Sequence, residues 1–154
     1  MNFVFEVLEK TRGSFKRILE KKSLEDLNKI PNGFNNNIIW NIGHIVVTEQ
    51  LLAYKLSGLP MMVSDDLVNK YRKDTKPEGG VTQEEVNEIK SLLFSTIERT
   101  AIDYKNNTFE NFKEYTVSTT GNTLKTIDES LQFVLFHEGM HLGYVLALLK
   151  VVKN

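Results

Sequence analysis

The sequence predicts an all-α protein, a four-helix bundle with long crossover connections. Three observations predict it. Four stretches of roughly twenty residues carry apolar side chains at helical spacing. Two of them open on capping boxes. Connections of roughly twenty residues between some of them are long for a compact domain and permit parallel neighbours.

The first helix is expected over about 2–22, with Phe5, Leu8, Phe15, Ile18 and Leu19 on one stripe. Ser23-Leu24-Glu25-Asp26 has the chemistry of an N-cap opening a short turn before Pro31. A second helix runs from about Asn37 to Ser57 and stops at Gly58. The connection from Leu59 to Val81 is broken by Pro60, Pro77 and Gly79-Gly80, with a helical turn expected over Asp65 to Arg72. Its length implies either a job or a crossing of the bundle. Thr82-Gln83-Glu84-Glu85 is a capping box in which Glu85 can reach back to the Thr82 amide, and the third helix continues to about Asn106. The stretch over 117–123 is turn chemistry suited to a small hairpin. Thr126-Ile127-Asp128-Glu129 is the second capping box, and the fourth helix extends to about Lys150.

Length and composition fit one globular domain over 1–154. The chain has 154 residues, of which 41% are hydrophobic and 25% charged. Nineteen basic residues against twenty acidic ones, with no arginine-rich arm, leave nucleic acid without its electrostatic footprint. The absence of cysteine excludes disulfides, thiolate ligands and a cysteine nucleophile, and fits a reducing compartment. Glu6 interrupts the start where a secretion signal wants an apolar run. The longest apolar stretch, near the C-terminus, is interrupted by His, Glu and Gly and reads as too short to span a bilayer. A soluble cytoplasmic protein without a membrane partner is expected.

Only three histidines occur, and all fall on core-facing helical positions. His137 and His141 are four residues apart, so their imidazoles lie one above the other and can reach one ion at about 2.0–2.1 Å. Phe133, Val134, Tyr144 and Leu148 share that face. His44, half-way along the second helix, shares a face with Trp40, Val47 and Leu51. Histidines from facing helices are how bundles build metal sites. A set of three leaves a coordination position open, the layout of a catalytic rather than a structural site. Neutral imidazoles suit a divalent transition metal, with zinc and nickel leading and iron, copper, cobalt or manganese admitted. Asn41, Thr48, Ser130 and Tyr144 are candidates to orient the rings. The competing reading is three core histidines, each bonded to a backbone carbonyl.

His137-Glu138-Gly139-Met140-His141 also satisfies the zinc-peptidase pattern, in which the glutamate is the general base. That pattern wants a further ligand downstream, and none of the thirteen residues after His141 is His, Asp or Glu. A conventional zinc peptidase is rejected. Glu138 lies about 100° round the wheel from His137 and about 60° from His141. It flanks the site, where it either serves as a base or bonds a neighbouring helix, with the structural role preferred. Opposite the histidines lie Leu135, Gly139, Leu142, Gly143 and Leu146. A helix apolar all round is expected to be buried all round, either inside the chain or in a two-fold homodimer.

Trp40-Asn41-Ile42-Gly43-His44-Ile45 and His137-Glu138-Gly139-Met140-His141-Leu142-Gly143 resemble the DinB-like superfamily, also called the DinB/YfiT-like metalloproteins. Leu56-Ser57-Gly58-Leu59-Pro60, followed by a loop ending near Lys76-Pro77, adds to the likeness, which covers essentially the whole chain. The resemblance implies a four-helix bundle with a long crossover, a metal site of His44, His137 and His141, and often a homodimer. It also implies a reaction class. Characterised relatives are metal-dependent S-transferases that use low-molecular-weight thiols such as bacillithiol, mycothiol or glutathione. On that reading a small electrophilic substrate meets a metal-activated thiol, with Glu138 or Tyr144 as proton handlers. Asp74 stands where relatives often have glycine, so no loop-dependent substrate site is carried over. A hydrolase using activated water, and a non-catalytic metal-binding or stress-related protein, are the alternatives. An open channel beside the histidines favours an enzyme, whereas closure by the loops at 59–81 and 109–125 favours storage.

Overall fold

The computed structural model describes residues 1–152. Its elements are α1 (Asn2–Lys21), α2 (Leu24–Asn28), α3 (Ile38–Gln50), a π-helical turn (Leu51–Lys55), α4 (Asp65–Tyr71), α5 (Gln83–Lys105), a two-stranded ribbon β1 (Tyr115–Thr116) and β2 (Thr123–Leu124), and α6 (Ile127–Val152). The four long helices are those expected. α1 packs on α5 and α6, and α3 packs on the same two, so α1 and α3 occupy one diagonal of the bundle. The chain therefore crosses a diagonal twice, through α2 and through the ribbon.

Contacts along the helices give their directions. Glu49 meets Thr100 and Tyr54 meets Asp103, so α3 and α5 run parallel. His44 meets His137 whereas Leu52 meets Ser130, so α3 and α6 run antiparallel. Parallel neighbours are what the long connections permit.

Local chemistry explains most element ends. Ser23, Asn37, Ser64, Thr82 and Thr126 each accept a first-turn amide on the side chain. The two capping boxes close only half-way. The Glu85 carboxylate leaves the Thr82 amide and takes the Tyr71 hydroxyl and the Lys70 ammonium instead. Glu129 accepts from the Lys125 amide at 2.6 Å, one residue before the cap. Gly58 ends the second long helix at φ 71°. Asp74 sits at φ 66°, a left-handed position that glycine adopts without strain and aspartate tolerates. The expected hairpin forms, with Tyr115 opposite Leu124 and Thr116 opposite Thr123.

Two expectations about α6 are corrected. The C-terminal stretch is not too short: as a 26-residue helix it is long and apolar enough, by length and composition, to cross a membrane. Here it packs on α1 and α3 as a bundle helix carrying a buried glutamate. Nor does the chain itself bury it all round. Phe136 is 48% and Leu146 49% exposed, and a Cβ on Gly139 or Gly143 would meet nothing within 4 Å. Among the described residues no helix covers that face.

The interior holds a charged hub. Arg12 is fully buried, and its guanidinium donates to the Glu138 carboxylate at 2.6 and 3.1 Å, to the Leu93 carbonyl at 2.9 Å and to the Thr96 hydroxyl at 2.7 Å. Glu49 lies 3.9 Å from the same guanidinium and accepts from Thr100 at 2.6 Å and from Gln50 at 2.9 Å. Burial raises Glu138 above the ordinary carboxylate range against the pull of Arg12. All four long helices meet in this hub. Glu138→Ala should lower the unfolding free energy by about 3–5 kcal/mol, because it strands a buried guanidinium. Replacing both partners, as Arg12→Met with Glu138→Leu, should recover most of that loss. Urea unfolding of the two variants beside the wild type measures both effects.

Candidate metal centre

α3 brings His44 to the bundle interior because nearly all of this helix is buried, Thr48 being the half-buried member. α6 brings His137 and His141 to face it. One ring nitrogen from each histidine lies within 4.8 Å of the other two. The rings are held by neighbours. Trp40 stacks on His44 with centroids 4.8 Å apart and 11° between planes, and Phe133 lies over His137.

Hydrogen bonds decide which nitrogen each ring offers. His44 Nδ1 donates to the Tyr71 carbonyl at 2.7 Å, which leaves its Nε2 lone pair facing the centre. His141 Nδ1 donates to Asn41 Oδ1 at 2.8 Å. The Asn41 amide cannot face the other way, because its Nδ2 already donates to the Asn37 carbonyl at 2.7 Å and to Asn36 at 3.0 Å. His44 Nε2 and His137 Nε2 are 3.2 Å apart. Two nitrogens each bound to one tetrahedral ion at about 2.05 Å stand about 3.3 Å apart. Nothing among the described residues holds His137 Nδ1, which is buried.

Burial keeps the rings neutral. It depresses His137 to about 3 and His141 to about 4, with repulsion from the neighbouring imidazoles adding to it. His44 is depressed too, by burial against the raising effect of the Tyr71 carbonyl. Three neutral imidazoles with converging lone pairs can hold a metal ion.

The other nominated residues divide. Asn41 orients His141 as expected, and the Thr48 hydroxyl lies 3.4 Å from His44 Nε2. Ser130 does not belong to the site; its hydroxyl donates to the Leu52 carbonyl and pins α6 to the second long helix. Glu138 points away from the histidines, and its carboxylate is held by Arg12, which removes it as a base at the centre. Tyr144 packs edge-on against Phe34 and does not line the pocket above the histidines.

Two contributors escaped the sequence reading. Tyr71 supplies a backbone carbonyl, a group with no sequence signature. Its ring lies on Gly43, where a Cβ would come within 2.6 Å of Tyr71 Cδ1. Arg12 did leave a signal, as a lone cation within the apolar stripe of Leu8, Phe15 and Leu19.

The centre is the floor of a pocket of about 530 Å³. Leu51, Leu52, Val117 and Phe133 form its walls, and Lys55, Lys73 and Lys113 line it as well. A family model of the DinB superfamily matches residues 7–145. The chain belongs to the DinB superfamily. No curated protein matches significantly. Among solved structures, a conserved protein from Enterococcus faecalis is similar in fold at 17% identity, with a TM-score of 0.59 over 99% of this chain and 96% of that one. The superfamily match agrees with the helical bundle, and the three-histidine cluster within it could hold a metal ion.

The residues that set the tautomers should matter to metal affinity. Asn41→Ala and Gly43→Ala should each weaken zinc binding by about 10- to 100-fold, the second by displacing Tyr71, while Asn41→Asp keeps an acceptor and most of the affinity. Competition against a chromophoric chelator measures this, and unchanged affinity in both weakened variants would remove the orienting role.

Proposed function

We propose that this DinB-superfamily protein is a metal-dependent thiol S-transferase acting on small electrophilic substrates in the cytoplasm, with zinc or nickel at His44, His137 and His141. One observation carries the reading: the histidine cluster opens into a pocket large enough for a small molecule, instead of lying sealed beneath the loops. A storage or purely structural site has no use for that space. The resemblance of the His44 and His137–His141 segments to thiol-transferring relatives supplies the reaction class.

When bound, the ion supplies a cationic centre that brings a thiol's pKa towards neutrality and so makes the nucleophile available. The chain's own residues do the rest. Tyr71 and Asn41 hold two imidazoles in the ligating tautomer. Leu51, Leu52 and Phe133 line the reacting centre with apolar surface, and the Thr48 hydroxyl beside His44 offers a hydrogen bond to the incoming sulfur. In the transfer a carbon–sulfur bond forms, the electrophile's leaving group departs with its electron pair, and the thiol proton goes to solvent.

Elemental mass spectrometry on untagged protein should find near-stoichiometric metal that His44→Ala loses. The metal-loaded protein should then consume glutathione or another small thiol with 1-chloro-2,4-dinitrobenzene, releasing chloride, and a chelator should abolish the rate. Absence of metal together with no binding of added zinc or nickel would overturn the reading. Thiol-independent turnover of an ester would replace it with the hydrolase reading.

We also propose that two copies pair through the outer face of α6. The support is that Phe136 and Leu146 lie exposed beside Gly139 and Gly143, where another backbone can approach closely. Sedimentation should give a dimer mass for the wild-type chain, and Leu146→Arg should give a folded, metal-binding monomer. A wild-type monomer at micromolar concentration would exclude the pairing.

A further inference from the structure

The pocket is chemically lopsided. At the floor sit three neutral imidazoles. Around it stand Lys55, Lys73 and Lys113, and Glu114 is the one acidic residue in the lining. The chain as a whole carries 19 basic and 20 acidic residues, so three cations against one anion is a local choice. Lys55 and Lys113 form no ion pair among the described residues, and the contact of Lys73 is with the exposed Asp74 at 3.9 Å. Lys55 and Lys113 thus line the pocket with no carboxylate partner, and Lys73 with only that long contact, among the described residues.

They also come from three separate segments, held there by backbone. Lys55 ends the π-helical turn. Lys113 is fixed beside it, because its amide donates to the Leu56 carbonyl at 2.7 Å. Lys73 precedes the left-handed Asp74, which sets the direction of the turn after α4. A lysine solvated at random would need none of these restraints.

The spacing then describes a ligand. Lys55 lies eleven residues after His44 on one continuous helical face, so the two are separated by about 16 Å along the axis. Between them the wall is Leu51, Leu52 and, from α6, Phe133. We propose that the pocket selects an elongated amphipathic anion. Its reacting end lies at the histidines, its apolar body lies along the leucines, and a carboxylate, phosphate or sulfonate sits at Lys55 and Lys113, with Lys73 lining the pocket from the segment that follows the His44-bound Tyr71 carbonyl. This rests on the pocket of the S-transferase reading and narrows its substrate class; the anion belongs either to the electrophile or to the thiol, and their shared chemistry is what the lysines recognise.

The test uses two probes with one body. 8-Anilinonaphthalene-1-sulfonate carries the anion, and N-phenyl-1-naphthylamine is the same aromatic body without it. Fluorescence titration of the full chain, with and without zinc, should show saturable binding of both. Replacing Lys55, Lys73 and Lys113 together by Met should weaken the sulfonate by at least about tenfold, or 1.4 kcal/mol, and leave the neutral probe within about twofold. Glu114→Gln should shift the sulfonate the other way. Leu51→Trp, which fills the pocket, should displace both probes. Equal effects of the triple replacement on both probes, or none on either, would overturn the proposal, as would unaltered binding in Leu51→Trp. Near-ultraviolet circular dichroism establishes that each variant keeps its packing. Because the probes undergo no reaction, charge selection without metal or thiol turnover would sink the S-transferase reading and leave the anion site standing, and the converse result would do the reverse.

Discussion

The Arg12–Glu138 pair is the constraint on which the rest of this molecule depends. A guanidinium taken out of water loses several kcal/mol of hydration unless geometry returns it. Here four helices return it: Glu138 from α6, Leu93 and Thr96 from α5, and Glu49 from α3, around Arg12 of α1. Sliding α6 by one helical turn, about 5.4 Å, would leave the charge facing apolar side chains. Glu138 is adjacent to His137, so the register that satisfies Arg12 is also the register that brings His137 and His141 opposite His44. The hub does no chemistry at the site. It decides that there is one.

The connection between α3 and α5 does a second piece of positioning. It joins parallel neighbours, so it must bring the chain back along the bundle, and the return path is put to use. It returns α4 against α3, seats the Tyr71 ring on Gly43 and points the Tyr71 carbonyl at His44. That carbonyl fixes a tautomer, and the same segment then turns at Asp74 to bring Lys73 to the pocket. Replacing Gly43 by a larger residue therefore acts on His44 through a loop more than twenty-five residues downstream.

How much of this was legible depends on what kind of group carries each role. The four helices were legible because apolar period and capping residues are written in side chains. The three histidines were legible because they are the chain's whole complement and all fall on apolar faces of two helices. Asn41 could be nominated from its place on the His44 helix. Tyr71 could not, because it acts through a backbone carbonyl that every residue type possesses. Glu138 was ambiguous for a different reason: a helical wheel gives an angle and leaves the neighbour at that angle unknown. α6 misled because an apolar surface signals removal from water without saying whether the cover comes from the same chain. The capping glutamates misled because a carboxylate within reach of an amide takes a better donor, such as the Lys70 ammonium, when the fold offers one.

The choice between three core histidines and a metal centre turns on where the lone pairs point. A core histidine is satisfied when one nitrogen donates and the other accepts. His44 and His141 each donate through Nδ1 to a fixed acceptor, so each presents Nε2 inward as an acceptor, with the Thr48 hydroxyl 3.4 Å from that of His44 as the one further donor among the described residues. His137 can donate to only one of them, and doing so leaves its own buried Nδ1 without a partner. The cluster therefore has more acceptors than donors whichever tautomer His137 adopts. Protonation would remedy that in a solvated site, but burial opposes it here and keeps His137 and His141 uncharged down to about 3 and about 4. What remains is a set of converging lone pairs, short of positive charge, at the spacing of ligands on one ion. A cation resolves the deficit that the protein's own donors do not.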